Sequence, residues 1–184
     1  MFDKLVERLK NNKVLWYDFQ KSLQEKFIPA KTILLNEGEV AHYVNFIKKG
    51  CIREWFNKDG KDITFQFFFE GQAVASIDSF LSGQPSIYTL ESIEPSTIFS
   101  LSKKYFDRLQ RVYPEIKEGF QELMFHRLRN YSHLFLSRIK DTPQERYKDL
   151  IINNPEIIKR IPQHYIASYL GITPISLSRI RNRK

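Results

Sequence analysis

The sequence predicts an α+β protein: an N-terminal antiparallel β-roll or jelly roll with flanking helices, then a long helix, then two short C-terminal helices. Three observations predict this class. Short β-type runs separated by turn residues fill residues 28–101, helical periodicity continues for many turns after Pro114, and short helical patterns flank Gly171. These patterns divide the chain into predicted domains at residues 1–112, 113–140 and 141–184.

Charge and cysteine content limit the function classes. The net charge of +8 suits an anionic partner, either nucleic acid or an acidic membrane surface. A single cysteine, Cys51, excludes a disulfide framework, a four-thiolate iron–sulfur cluster and a zinc finger of the usual ligand count. The sequence has no apolar run of membrane-spanning length. We therefore expect a cytoplasmic protein with no membrane partner, metal or cofactor.

The N-terminal residues 2–27 have apolar positions at helical spacing. A break at Asn11 and Asn12 divides this pattern. It predicts two short amphipathic helices that cover the start of the β region.

The β region contains five predicted strands, which recur about every ten residues, as in an antiparallel sandwich or barrel. Asp59 and Gly60 form the strongest hairpin signal in the chain. Cys51 lies on a predicted strand, where we expect a small core residue. The predicted strands are Ile33–Leu35, Tyr43–Ile47, Cys51–Phe56, Ile63–Phe69 and Ile87–Ile93.

After a short helix at residues 103–109, a wide apolar arc follows Pro114, interrupted by Arg127 and Arg138. One flank of this helix can pack on the β domain and the other on a partner helix, as in a two-stranded coiled coil. The alternative is a helix within the core of one chain. We expect a dimerisation helix, because so long a helix would overrun a small sandwich. The residues assigned to it are Phe120, Leu123, Met124, Leu128, Tyr131, Leu134 and Phe135.

Residues 141–143, Asp-Thr-Pro, end the long helix and cap a helix at residues 144–153, which makes them the predicted hinge. The last segment has the spacing of a helix-turn-helix. Ala167 is small enough for close helix packing, Gly171 suits an abrupt turn, and Thr173 and Pro174 begin the second helix. The apolar positions of the motif are Ile166, Leu170, Ile172, Leu177 and Ile180.

A helix-turn-helix places its second helix in the major groove of DNA. Arg179 is suited to contact a guanine, and Ile175 is suited to contact a thymine methyl group. Arg181 and Arg183 are suited to contact the phosphates. The alternative is an ordinary helical hairpin with a solvated basic tail. The residues assigned to double-stranded DNA are Thr173, Ile175, Ser176, Ser178, Arg179, Arg181 and Arg183.

Several motifs resemble one known family. They are residues 34–39 (LLNEGE), 46–53 (FIKKGCIR), 59–64 (DGKDIT) and the C-terminal motif. Over nearly its whole length the chain resembles the Crp/Fnr family of bacterial transcription regulators, in the style of divergent members from Bacteroidetes-type bacteria. The resemblance implies a homodimer that binds a near-palindromic DNA site and is not an enzyme.

Members of this family that bind cyclic nucleotides hold the ribose with a Gly-Glu step and the phosphate with an Arg-Ser step. In this chain Ser76 replaces the glutamate, Ser86 the arginine and Ile87 the serine. The resemblance therefore implies that cyclic AMP is not bound in the usual way. Ser76, Ser86 and Tyr88 remain candidates to line a pocket for another effector, unless aromatic side chains fill the cavity.

Two other function classes remain as alternatives. One is a β-roll sensing module that acts through a protein partner. The other is a β-barrel enzyme of the cupin type, which would need a His-x-His metal pair; the sequence contains no such pair.

Overall fold

The computed structural model describes residues 2–182 and confirms the α+β class. The helices are α1 (Phe2–Asn11), α2 (Lys13–Ser22), α3 (Ile77–Ser82), α4 (Lys103–Val112), α5 (Pro114–Lys140), α6 (Pro143–Asn153), α7 (Pro155–Arg160), α8 (Gln163–Leu170) and α9 (Pro174–Asn182). The strands are β1 (Leu23–Ile28), β2 (Ile33–Leu35), β3 (Tyr43–Lys49), β4 (Ile52–Lys58), β5 (Lys61–Phe68), β6 (Ala73–Val74), β7 (Thr89–Ser92) and β8 (Ser96–Ser102).

The chain forms two compact units that interleave in sequence. The first contains the residues up to Glu54 together with Phe68–Arg127. The second contains Trp55–Phe67 and the chain from Leu128 onward. This division differs from the predicted domain boundaries at residues 112 and 140. The reason is that Trp55–Phe67, in the β4–β5 hairpin, groups with the C-terminal helices.

The strands form two four-stranded sheets, in the orders β1-β8-β3-β6 and β2-β7-β4-β5. In the first sheet, β8 pairs antiparallel with both β1 and β3. The sequence pattern places residues 23–27 with the preceding helices, and this is wrong. Leu23–Ile28 forms β1 because pairing with β8 over its whole length overrides the local helical spacing.

The β4–β5 hairpin turns at Asp59 and Gly60, as predicted. Both residues have positive φ, at 53° and 77°, which is the geometry of a two-residue type I′ turn. Asn57 supports the turn, because its Oδ1 accepts a 3.1 Å hydrogen bond from the Gly60 N–H.

The core of the first unit takes in residues of both sheets together with α1, α2, α3, α4 and the start of α5. Leu9, Leu15 and Phe106 are buried there, and Phe106 contacts Phe80 and Phe120 edge-on. Cys51 is fully buried, which confirms its prediction as a core residue.

The long helix α5 buries one face and exposes another. Ile116 and Gly119 are buried, and Phe120 packs against the core of the first unit. Phe125 and Phe135 are 70% and 65% exposed. No helix within residues 2–182 is long and apolar enough to cross a membrane.

Candidate functional site

The C-terminal motif has the local geometry that the sequence predicts. Gly171 ends α8 in the left-handed conformation, at φ 69°, and its N–H donates to the last turn of that helix. Thr173 caps α9, because its Oγ1 accepts a 3.1 Å hydrogen bond from the Ser176 N–H. Ala167 and Leu177 are buried between the helices. Two short helices joined by an abrupt turn result.

The carbonyl end of α8 is held by two arginines from other helices of the second unit. Arg138 on α5 donates from Nη2 to the Tyr169 carbonyl at 2.7 Å, and Arg146 on α6 donates to the Leu170 carbonyl at 3.1 Å. Both guanidinium groups pair with carbonyls at the negative end of the α8 dipole. In the sequence, the position of Arg138 within an apolar stripe is the one signal that this arginine holds the end of α8.

The β4–β5 hairpin tip also holds α8. The Ser168 hydroxyl donates to the Asp62 carbonyl and accepts from the Thr64 N–H, both at 2.9 Å. The Phe67 and Tyr169 rings are in contact, with centroids 5.4 Å apart and planes tilted by 51°. Burial raises the pKa of the Tyr169 hydroxyl. These contacts hold α8 against strand β5, which lies far earlier in the sequence.

The residues assigned to DNA lie on or beside α9. Ile175 is 65% exposed, and Ser178, Arg179 and Arg181 are exposed. Thr173 and Ser176 share a 3.0 Å hydrogen bond between their hydroxyls, so both side chains have a partner in the protein. Arg183 lies outside the described residues.

The candidate pocket residues Ser76, Ser86 and Tyr88 lie in the first unit. Ser76 and Ser86 are buried, and the Ser86 hydroxyl donates to the Tyr88 carbonyl at 2.7 Å and accepts from the Tyr88 N–H at 3.0 Å. This hydroxyl is therefore committed to a local turn. Burial raises the pKa of the Tyr88 hydroxyl, and the nearby charge of Glu54 adds to that effect.

Sequence reasoning missed the buried carboxyl of Glu54 and the partly buried guanidinium of Arg127. Glu54 is 2% exposed, and its Oε2 has no hydrogen-bond partner. Burial raises the pKa of the Glu54 carboxyl to about 7, and Arg127 opposes this rise. Arg127 donates from Nη2 to the Ala73 carbonyl at 2.6 Å and lies 5.0 Å from the Phe68 ring, while its buried Nη1 has no partner.

Arg127 also lines a small apolar cavity of about 40 Å³. Phenylalanine rings supply much of its wall, among them Phe19, Phe46, Phe106 and Phe120. A second groove, with Glu39, Asn45 and His42 on its wall, lies between Leu34 and Leu90. Ser76, Ser86 and Tyr88 line neither of these two spaces.

The residues assigned to the dimer helix divide between two environments. Phe120 and Leu123 pack against the core of the first unit, and Tyr131 contacts Phe65 with ring centroids 5.3 Å apart. Leu128 and Phe135 are 62% and 65% exposed. Met124 and Leu134 are half-buried.

Comparison with known proteins extends this description. Residues 25–113 match the family of cyclic nucleotide-binding domains. FixK2 from Bradyrhizobium japonicum aligns over 86% of this chain and 82% of its own, with a TM-score of 0.75 and 18% identity. A CooA mutant from Carboxydothermus hydrogenoformans aligns over 97% and 82%, with a TM-score of 0.73 and 16% identity.

A protein from Eubacterium rectale, assigned to the crp/fnr family of transcriptional regulators, aligns over 94% of this chain and 83% of its own. The TM-score is 0.72 and the identity 17%. The chain has the Crp/Fnr fold. The resemblance predicted from the sequence is thus confirmed, and the Crp/Fnr fold accounts for the order of β-roll, long helix and C-terminal helices. No curated protein matches the sequence.

No group of three or more histidine, cysteine or acidic side chains in the described part of the chain is arranged to hold a metal ion.

Proposed function

We propose that this protein is a cytoplasmic transcription regulator of the Crp/Fnr type that binds a near-palindromic DNA site as a homodimer. The observation that carries the proposal is the geometry of α8, Gly171 and α9. In that geometry, the capped helix α9 presents Ile175, Ser178 and Arg179 to solvent. A short exposed helix held by a second helix is the arrangement that enters a major groove.

The charge of the exposed face supports the same proposal. Arg179 and Arg181 are exposed on α9, within a chain of net charge +8. Phosphate contacts supply affinity, and base contacts supply sequence preference. Arg179 is the side chain best suited to a guanine, because its guanidinium can donate to O6 and N7 together.

Cyclic AMP is not the effector in this proposal, although the domain family is named for cyclic nucleotides. Ser86 stands at the position where cyclic-nucleotide-binding members of the family have the phosphate-binding arginine. Its hydroxyl is already hydrogen-bonded to the backbone of Tyr88. A neutral hydroxyl committed to a turn cannot replace a bidentate guanidinium on a phosphate. Calorimetry should therefore give no stoichiometric micromolar binding of cyclic AMP.

Selection of bound sequences from a random DNA pool tests the regulator proposal directly. We expect an enriched near-palindrome whose half-sites are about one helical turn apart, roughly 34 Å. Gel shifts at two salt concentrations should show affinity that falls steeply with salt. If no sequence is enriched and no salt-dependent binding occurs, a sensing module that acts on a protein partner is favoured instead.

The substitution Arg179→Ala tests whether Arg179 contacts a base. We expect a loss of about 1–3 kcal/mol in affinity for the selected site, with relaxed preference at one base pair. Arg181→Ala is the matched control, because a phosphate contact should weaken all sequences alike and reduce the salt slope by about one. An unchanged selection profile for Arg179→Ala would remove this residue from base recognition.

A further inference from the structure

The groove between Leu34 and Leu90 contains a polar side chain that is buried but incompletely bonded. Asn45 on β3 is 6% exposed and lies on the wall of this groove. Its Oδ1 accepts a 2.7 Å hydrogen bond from the Ser100 hydroxyl. Within the described residues, Ser100 is the one hydrogen-bond partner of this side chain. The two N–H donors of Nδ2 are therefore free to bond a molecule in the groove.

The first sheet fixes the Asn45 amide before any ligand arrives. The backbone of Asn45 pairs with Val74 on β6 and with Ser100 on β8, so it lies between two neighbouring strands. Because Asn45 and Ser100 are directly opposite each other in the register, the Ser100 hydroxyl holds the amide in one orientation. A preorganised donor loses little conformational freedom when a ligand binds.

The remainder of the groove suits an apolar molecule. Its volume is about 500 Å³, a size typical of small-molecule sites. Leu35 and Ala41 are buried on its wall, and Leu90 is 2% exposed. Apolar walls of this kind bury most of the surface of a ligand, and a few polar groups fix its orientation.

The charges around the groove argue against an ionic ligand. Glu39 and His42 on the wall are exposed, and the Glu39 carboxylate accepts from the Asn36 N–H at 2.8 Å. Lys26 lies over the ring of Tyr43, another residue of the wall, 4.8 Å from the ring centroid. Within the described part of the chain, the buried residues of the wall carry no charge. An ion bound deep in the groove would lack a counter-charge, at a high cost in free energy.

We propose that this groove binds a small neutral molecule that carries a carbonyl group on an apolar body, such as a lactam or a lactone. The carbonyl oxygen accepts a hydrogen bond from Asn45 Nδ2, and the apolar body packs against Leu35 and Leu90. Binding displaces water from the amide, and the carbonyl replaces the hydrogen bond that this water makes.

The groove is separate from the candidate pocket of Ser76, Ser86 and Tyr88, since none of these three residues lines it. Among the described residues, its wall comes from β2, β3, β7 and the loop before β3, with no contribution from α5. The inference therefore goes beyond the proposed function and does not depend on DNA binding.

NMR titration of the full-length, ¹⁵N-labelled protein with ε-caprolactam tests the proposal without DNA. We expect saturable binding in the millimolar range that shifts the Nδ2 proton signals of Asn45 and the backbone amide signals of Leu35 and Leu90. ε-Caprolactone keeps the carbonyl and should bind within about threefold of ε-caprolactam. Oxepane has an ether oxygen and no carbonyl, so it should bind at least about fivefold more weakly. 2-Pyrrolidone is smaller by two methylene groups and should bind about tenfold more weakly.

Variants of the wall separate the donor from the apolar surface. Asn45→Leu keeps the approximate side-chain volume and removes the donor, so it should weaken ε-caprolactam binding at least about fivefold while retaining oxepane binding. Leu34→Trp narrows the groove and should weaken the binding of every ring compound. Ile33→Trp, at the exposed preceding position on β2, is the matched control and should retain the wild-type affinities.

Absence of a saturable shift in the Asn45 side-chain signals would overturn the proposal, as would equal binding of ε-caprolactam and oxepane. Unchanged affinity in Leu34→Trp would also overturn it. If Asn45→Leu fails to fold, the compound series on the wild type and the Leu34→Trp and Ile33→Trp pair decide the question. DNA selection is a separate measurement, so failure here leaves the regulator proposal standing, and failure there leaves the groove site standing.

Discussion

At the scale of single residues, Glu54 should make stability depend on pH. Its pKa rises from 4.5 to about 7 in the folded chain because burial disfavours the carboxylate. Below pH 4.5 the Glu54 carboxyl is protonated in both the folded and the unfolded chain. The contribution of Glu54 to the free energy of unfolding is then at its largest. As the pH rises towards 7 the unfolded chain releases its proton first, so the free energy of unfolding falls, by roughly 3 kcal/mol in total.

Urea denaturation of the wild type and Glu54→Gln between pH 4.5 and 8 measures this effect. As the pH rises, the free energy of unfolding of the wild type should fall relative to that of Glu54→Gln. Glu118→Gln, at an exposed position on α5, is the control and should follow the wild type. Parallel curves for wild type and Glu54→Gln would show that the carboxyl is not buried in solution.

At the scale of secondary-structure elements, the hairpin tip and α8 depend on each other through Ser168. Its hydroxyl bonds both the Thr64 N–H and the Asp62 carbonyl at 2.9 Å. Because Thr64 is fully buried, replacing Ser168 by Ala removes an acceptor that water cannot easily replace. We expect Ser168→Ala to lower the free energy of unfolding by about 1–3 kcal/mol.

Chemical denaturation provides the measurement, with Ser178→Ala on the exposed face of α9 as the matched control. The control should change stability by less than about 0.5 kcal/mol, since no described contact of the protein is lost. Equal effects of the two substitutions would mean that the hairpin does not support α8.

Local chemistry explains which elements the sequence predicts well. The turn at Asp59 and Gly60, the cap at Thr173 and the left-handed Gly171 each depend on a few adjacent residues, so pattern and spacing suffice. The strand at Leu23–Ile28 depends instead on pairing with Ser96–Ser102, which no local pattern records. Long-range pairing therefore accounts for the main error in the predicted fold.

The same distinction applies to the candidate sites. The exposed residues of α9 follow from helix spacing, whereas the Glu54 and Arg127 pair requires two elements to meet in the folded chain. The sequence held a weak signal for two of the arginines of α5, because Arg127 and Arg138 interrupt an apolar stripe. In the structure each of them donates to a backbone carbonyl outside its own helix.

At the scale of the whole molecule, the proposed dimer should form along the exposed face of α5. Leu128, Ser132, Phe135 and Ile139 recur at steps of four, three and four residues, the spacing of a coiled-coil seam. Leu128, Phe135 and Ile139 are each more than 60% exposed in one chain. Such a row of large apolar side chains exposed on one helix face is typical of an interaction face.

Glutamate at Leu128 or Phe135 should therefore separate the dimer into monomers. Around a two-fold axis each substitution places two like charges across the seam, in a position that favours apolar contact. Sedimentation equilibrium at micromolar protein should show a dimer for the wild type and for His133→Glu, which is exposed on another face of the helix. Both seam variants should sediment as monomers.

In the proposed function, the dimer of α5 helices is what brings two copies of α9 to one DNA site. A tethered pair of recognition helices gains roughly 10²- to 10⁴-fold in avidity over a single one, provided that the helix spacing matches the site. The seam variants should lose affinity for a full palindrome by about this factor while keeping their weak affinity for a half-site. Retention of full-site affinity by a monomeric variant would show that the two half-sites are read without the coiled-coil seam.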